Sequence, residues 1–499
     1  MNFNSLIFLI FLPIVLLLYW LLPNRFRWVL LLLASYYFYM SWNPWLIFLI
    51  LAITLVSYLS GLFISKSEKK AVKKTWLIIS IVISVGSLIF FKYFNFLLQN
   101  AINFLNLFTL HIESVALNII LPIGISFYTF QTLSYVIDIY KGKTEAEKHL
   151  GYYALYVCYF PQLVAGPIER PKDLIPQLKA EHKFDKDEFL TGLRIFLVGF
   201  FYKCAVADVI GIFVNNVFND IGNSTTVSIF LAGFLFSVQM YCDFAGYSEI
   251  ATGSARMMGI KLSRNFNRPY MSKSYSDFFR RWHMTLTSWF TTYIYIPLGG
   301  SRKGKVRHII NIFIVFLLCG LWHGANWTYV LWGLYAAFFM SLETLLKEPV
   351  GNLFKKKGID PESKLMISLR VVGMYFILVP AALIFRSVNV EQAGIVLARL
   401  FTTWGFTADY FDDSMKNLGL NAMFIVLITL LIVGEVYIFH YGELGRDKPL
   451  DYSGFSRENA CSLRAHRYMV SLYLILIIAI CWIACLGTGA SSAFQYFQF

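Results

Sequence analysis

The chain has 499 residues, 58% of them hydrophobic and 18% aromatic, with only 14% charged and a net charge of +14. A water-soluble domain carries about a quarter of its residues as Asp, Glu, Lys and Arg. This balance excludes an ordinary soluble globule and reads as a membrane protein, whose basic excess needs no nucleic-acid partner to explain it.

Apolar runs long enough to cross about 30 Å of hydrocarbon recur from end to end. In chain order they fall at residues 5–22, 27–41, 45–64, 76–98, 115–139, 190–214, 226–250, 309–346 as a folded-back pair, 365–386, 420–440 and 469–488. Runs at 151–166 and 284–298 are too brief to span and are expected to be re-entrant or interfacial. The expectation is an all-α polytopic protein of about twelve spans. It forms a single membrane-embedded domain, with N-terminal spans over 1–114, a core over 115–346, C-terminal spans over 347–488 and an aromatic tail over 489–499.

Loop charge sets the expected orientation. Lys66, Lys69, Lys70, Lys73 and Lys74 crowd one loop, and Lys/Arg-rich loops stay cytoplasmic. The same parity puts Arg25 and Arg27 and the basic stretches 141–148, 170–186, 256–281, 302–307, 347–364 and 446–467 inside, leaving Arg399 and Lys416 in outer loops. Both termini then lie outside. The opening MNFNS has no basic group, so the first run reads as a span and not as a removable signal. Six cysteines (158, 204, 242, 319, 481 and 485) lie in apolar runs and Cys461 in a basic loop, which implies neither a disulfide framework nor a zinc site.

Residues 1–100 read as ordinary spans with few polar groups. From Ile119 to about Tyr335 polar residues, prolines and glycines interrupt apolar sequence, as in LPIGISFYTFQTLSYVIDIY (121–140), YFPQLVAGPIERP (159–171) and VQMYCDFAGYSEIATG (238–253). Polar groups at membrane depth are costly unless they face a cavity or one another, so function is expected here. The segment 387–419, with Trp404, Asp409, Asp412 and Asp413, reads as an interfacial element or lid on the outer face.

The densest stretch is residues 267–308. Its basic residues, Arg280 and Arg281 among them, fit an anchor for anionic headgroups and equally a docking surface for a phosphorylated cytosolic donor. Sixteen residues further than Arg307, about 24 Å of helix, lies His323, within GLWHGANWTYVLWG (320–333). A helix histidine beside tryptophan is commonly a core residue, yet Gly320, Gly324 and Asn326 allow close approach and supply a polar neighbour. His283, just past Arg280–Arg281–Trp282, is the other candidate. A neutral imidazole is a natural general base, whereas two histidines without paired carboxylates make a poor metal site. No HExxH, P-loop, GxGxxG or GxSxG motif occurs.

RRWHMTLTSWF (280–290), YIYIPLGG (293–300) and LWHGANWTYVLWG (321–333), together with VAGPIERPKDLIPQL (164–178) and YCDFAGYSEIA (241–251), resemble the membrane-bound O-acyltransferases. The likeness runs over nearly the whole chain and is closest to the bacterial cell-envelope branch of alginate O-acetyltransferase type. One departure is Thr291–Thr292, where relatives often carry a charged residue before the YIYIPLGG tyrosine. The resemblance implies a pore with His323 as catalytic histidine near its narrowest point and His283 as its second. A cytosolic thioester, acetyl-CoA or another, would be the donor substrate, with no bound cofactor. A cell-envelope polysaccharide such as alginate would be the final acceptor. A separately encoded exported acetyltransferase, SGNH-hydrolase-like, would complete the transfer, and the protein would sit in the bacterial cytoplasmic membrane. Asn326, Gln239 and Asp243 are candidate orienting or oxyanion groups, each with a structural reading beside it.

The chain ends SSAFQYFQF (491–499), which fits an interfacial aromatic anchor. In the envelope branch such a tail resembles an acyl carrier, with Tyr496 the matching residue. Two rivals remain: D-alanyl transfer to teichoic acid, fed by a carrier protein, and a polysaccharide or lipid-linked-sugar transporter in which His323 and Asp243 relay protons.

Overall fold

The computed structural model describes residues 1–108, 112–113 and 116–419, and these are helical with no strand among them. The expected spans at 420–440 and 469–488, the cysteines 461, 481 and 485, and Tyr496 lie outside the described residues.

The first helix, α1 (Leu6–Leu21), starts where the Ser5 hydroxyl accepts the Phe8 amide and stops before Pro23. After it come α2 (Asn24–Met40), α3 (Ile47–Lys66) and α4 (Lys70–Leu88), and α4 runs through a π-turn at Ile89–Tyr93 into α5 (Phe94–Asn106). Then follow α6 (Ile125–Tyr140), α7 (Leu150–Cys158), α8 (Pro171–Lys179) and α9 (Lys186–Phe200), which passes a second π-turn at Phe201–Ala207 into α10 (Asp208–Asn219). The longest helix is α11 (Thr226–Met257), and the short α12 (Tyr275–Arg281) and α13 (Met284–Phe290) lead to a third π-turn at Thr291–Tyr295. The remainder are α14 (Lys305–His323), α15 (Trp327–Lys356), α16 (Lys364–Arg386), α17 (Val390–Thr402) and α18 (Ala408–Leu418).

Among the described residues seven helices are long and apolar enough to cross a bilayer: Pro44–Lys66, Lys70–Asn106, Lys186–Asn219, Thr226–Met257, Lys305–His323, Trp327–Lys356 and Lys364–Arg386. The runs expected at 5–22 and 27–41 form helices of 16 and 17 residues, short of the about 20 that a span needs. Of the run expected at 115–139, the described residues are helical from Ile125 onward. Gly124, at φ 74°, turns the chain into α6, and a Cβ there would meet the Leu163 carbonyl oxygen at 2.5 Å. From there α6 is buried on nearly every side, so its apolar sequence serves interior packing. The folded-back pair at 309–346 is present as α14 and α15, and the two brief runs are the short α7 and the α13 segment.

The core is built on α11. Glycines recur along both α9 and α11, so the backbones meet directly: a Cβ at Gly199 would lie 2.6 Å from the Gly246 oxygen, and one at Gly253 2.6 Å from the Gly192 oxygen. Such small-residue seams let helices associate where lipid offers no hydrophobic drive. At the start of α11 the segment 387–419 docks through side chains, with Thr225 bonded to Ser414 and Thr226 to Thr403.

Candidate active site

The last turn of α14 carries His323, and a three-residue turn leads into α15. The glycines around it allow close approach. A Cβ at Gly320 would lie 2.3 Å from the Tyr329 oxygen, one at Gly333 2.5 Å from the Phe316 oxygen, and one at Gly324 2.2 Å from the Tyr329 ring. The hairpin is therefore drawn tight just below the histidine. Its ring stands edge-on to three aromatics, with centroids 5.1 Å from Trp322, 5.1 Å from Trp332 and 5.2 Å from Phe385, and the Cys319 sulfur lies 3.9 Å from Nε2.

His283 occupies the sharp turn between α12 and α13. Its backbone is left-handed, φ 45°, which is rare for a residue with a side chain. Asn265 holds it there. The Asn265 carbonyl accepts the Met284 amide at 2.8 Å, while its side-chain oxygen accepts from the Thr285 hydroxyl at 2.9 Å and the Thr285 amide at 3.4 Å. The same oxygen lies 3.1 Å from His283 Nδ1, and the Asn265 amide nitrogen donates to Ser248. Because the oxygen can only accept, Nδ1 bears the hydrogen and Nε2 is left as a bare acceptor. That Nε2 is buried and has no protein partner.

Both histidines line one cavity of about 450 Å³. Its inner wall is apolar, with Trp282, Leu286, Phe290 and Phe316, and its polar part carries Arg280, His308, Thr344 and Lys347 together with Glu343, whose carboxylate accepts from the Ser276 amide and hydroxyl. A smaller cavity of about 80 Å³, between α11 and α16, also touches His323 across the rings of Phe279, Trp282 and Trp332. Two nitrogen bases thus stand at the inner end of a cavity whose polar part holds more cationic than anionic groups. This can remove a proton from a hydroxyl beside an electrophile that enters from the polar part.

Of the other residues singled out in the sequence, Arg280 lines the cavity whereas Arg281 turns to Asp277 at 2.9 Å. Burial alone would lift the Asp277 carboxyl, but the Arg281 bond outweighs it and holds Asp277 below the usual carboxylate range. Asn326 caps α15, accepting the Thr328 amide and donating to the Val388 carbonyl. Gln239 and Asp243, one turn apart on α11, line neither cavity that touches His323. Gln239 packs on Gly211, where a Cβ would lie 2.7 Å from its amide nitrogen. Asp243 pairs with Lys203 at 2.7 Å, and Lys203 also binds Asp208 at 2.7 Å, forming a buried ion cluster in the second π-turn.

Asn265 was not anticipated, and neither were two residues that meet the end of α14. Lys92 donates to the carbonyls of Trp322 at 2.6 Å and His323 at 3.0 Å, and the neighbouring Tyr93 hydroxyl donates to the Leu321 carbonyl at 2.5 Å. The signal was a lysine in the middle of LIFFKYFNFLL (88–98). The first hundred residues therefore contribute directly to the site.

Residues 31–356 match the model of the MBOAT, membrane-bound O-acyltransferase family. The chain is 37% identical over 438 residues to a probable alginate O-acetylase AlgI of Pseudomonas aeruginosa, covering 87% of this chain and 81% of that protein. It is 33% identical to the probable alginate O-acetylase AlgI of Pseudomonas putida over the full length of both. A peptidoglycan O-acetyltransferase of Helicobacter pylori is 35% identical over 338 residues, 62% of this chain and 63% of that protein. With a family match that runs through the α14–α15 hairpin and full-length relatives at this identity, the chain belongs to the membrane-bound O-acyltransferase family.

Proposed function

We propose that this O-acyltransferase moves acetyl groups from cytosolic acetyl-CoA through the membrane to an extracellular or cell-envelope polysaccharide, with His323 as general base. The observation that carries the reading is the single cavity that joins both histidines to a mouth with more cationic than anionic groups. Arg280 and Lys347 suit the phosphates of the donor, and the apolar wall suits its uncharged arm. The charge bias of the loops supports a cytosolic mouth with both termini outside, and the proposed site of action is a bacterial cytoplasmic membrane.

The acceptor oxygen attacks the thioester carbonyl while His323 takes its proton. The C–S bond breaks and the thiolate leaves, recovering that proton as the thiol. In the proposal His283 Nε2, buried in the wall of the same cavity, is the second acceptor that orients the incoming hydroxyl. In the relay form of the proposal, the first acceptor is the Tyr496 phenol, and an exported SGNH-hydrolase-like acetyltransferase collects the group for the polysaccharide. A phenyl ester is a good acyl donor, so onward transfer to a sugar hydroxyl is downhill.

The test is mass spectrometry of purified protein incubated with isotopically labelled acetyl-CoA, with His323→Ala and Tyr496→Phe alongside. Label on Tyr496 that vanishes in both variants supports the relay. Thioester consumption without label on Tyr496 removes the tail from the path and keeps the base. No thioester consumption in the wild type overturns the acetyl-CoA reading.

A further inference from the structure

We propose that Lys92 and Tyr93 are positioning residues that clamp the last turn of α14 and so fix the ring of His323. This rests on the reading of His323 as the base.

The helix lies in one of the long apolar spans, where an ammonium group is expensive and persists only with partners. Here the partners are backbone carbonyls. The last four carbonyls of any α-helix lack intrahelical donors, and a cation is favoured at that end of the dipole. α14 ends at His323 with Gly324 in extended conformation, and no cap amide returns to its last turn. Instead the carbonyls of Leu321, Trp322 and His323 are taken in sequence by Tyr93 and Lys92. Three consecutive acceptors on one helix are thus served by two consecutive residues of another.

Adjacent side chains on a regular α-helix point about 100° apart and cannot share one target. The π-turn at Ile89–Tyr93 removes that obstacle by widening the backbone where both residues sit. The clamp also reaches Trp322, since the Lys92 nitrogen lies 6.0 Å from its ring centroid. That ring stacks on Phe130 and stands 5.7 Å from the ring of His283. Lys92 and Tyr93 hold the carbonyl groups flanking both His323 and the tryptophan that separates the two histidines.

The experiment compares wild type with Lys92→Met, Lys92→Arg and Tyr93→Phe in two readouts: amide hydrogen exchange of the peptide spanning 318–326, and steady-state acetyl-CoA turnover. For Lys92→Met the clamp predicts about ten-fold faster exchange at the end of α14. It also predicts a fall in kcat of about 10- to 100-fold with KM for acetyl-CoA within about two-fold. Lys92→Arg restores both toward wild type because guanidinium also donates to carbonyls, and Tyr93→Phe gives an intermediate loss. The proposal is overturned if Lys92→Met leaves exchange and kcat within about two-fold of wild type, or if Lys92→Arg is as impaired as Lys92→Met. A wild type without turnover refutes the acyl-transfer reading instead, and the exchange comparison then decides the clamp alone.

Discussion

Replacing Gly320 by alanine tests whether the tight hairpin is what places His323. The added Cβ would lie 2.3 Å from the Tyr329 carbonyl oxygen and 3.3 Å from the Gly333 Cα, where ordinary contact begins at 3.4 Å. Both obstacles are backbone, so no side chain can rotate away and α14 must part from α15 by about 1.1 Å. Overpacking of this kind costs about 1–3 kcal/mol of stability. His323 lies one helical turn further on and shifts with the helix, and a misplacement near 1 Å lowers a rate by about 100-fold. The assay is kcat for acetyl transfer beside the melting temperature, with Gly86→Ala and Gly373→Ala as controls. Those two helical glycines have nothing within 4 Å of an added Cβ, so alanine there is expected to stabilise by roughly 0.5–1 kcal/mol. A Gly320→Ala protein that matches the controls in both measurements refutes the argument.

Asn265→Leu removes the oxygen that fixes the His283 tautomer and should lower kcat about 10- to 100-fold with little change in KM; a kcat within two-fold of wild type denies Asn265 that role. Lys203→Met strands two buried carboxylates and should destabilise by about 3–5 kcal/mol, read as a lower melting temperature. Combining it with Asp208→Asn and Asp243→Asn should recover much of the loss, and no recovery would show that the charges are not the cause. Glu169, buried against Ser263, is pushed up from 4.5 to about 7 by burial. Its folded value exceeds its unfolded one, so the stability it contributes is full below about pH 4.5 and is lost as pH rises through 7, about 3 kcal/mol in all. The melting temperature should therefore fall between pH 5 and pH 8 in wild type and stay flatter in Glu169→Gln; identical slopes would assign the pH dependence elsewhere.

The elements legible in the sequence were those whose signal is local. The hairpin of α14 and α15 follows from two apolar runs around GLWHGAN, and the short helices α7 and α13 from runs too brief to span. Both histidines stand beside polar breaks that are visible in the sequence, and the structure brings them to one cavity. What escaped was set by partners distant in the chain. Hydropathy shows where apolar sequence runs but not where a helix starts: 115–139 reads as one run, whereas α6 begins only at Ile125, after the turn at Gly124. Asn326, Gln239 and Asp243 looked equivalent as polar groups near glycines. Their roles diverge into a helix cap, a packing contact on α10 and an ion pair, because α11 sets Gln239 against Gly211 and Asp243 against Lys203, and neither lines a cavity that touches His323. Lys92 lies more than two hundred positions from the carbonyls it binds, a pairing that no window along the chain contains.

The aromatic collar around His323 has a consequence for the cell's energy supply. A cavity that reaches this depth thins the dielectric barrier of the bilayer, and every leaked charge dissipates about 2.3 kcal/mol per 100 mV of membrane potential. Trp322, Trp332 and Phe385 stand edge-on against the imidazole, so its immediate surroundings are largely aromatic and offer little support for a file of water. Constrictions lined in this way exclude ions by dewetting. In the proposed acyl transfer, rings packed this closely on the histidine would oppose such a file of water and so limit the leak of charge through the site.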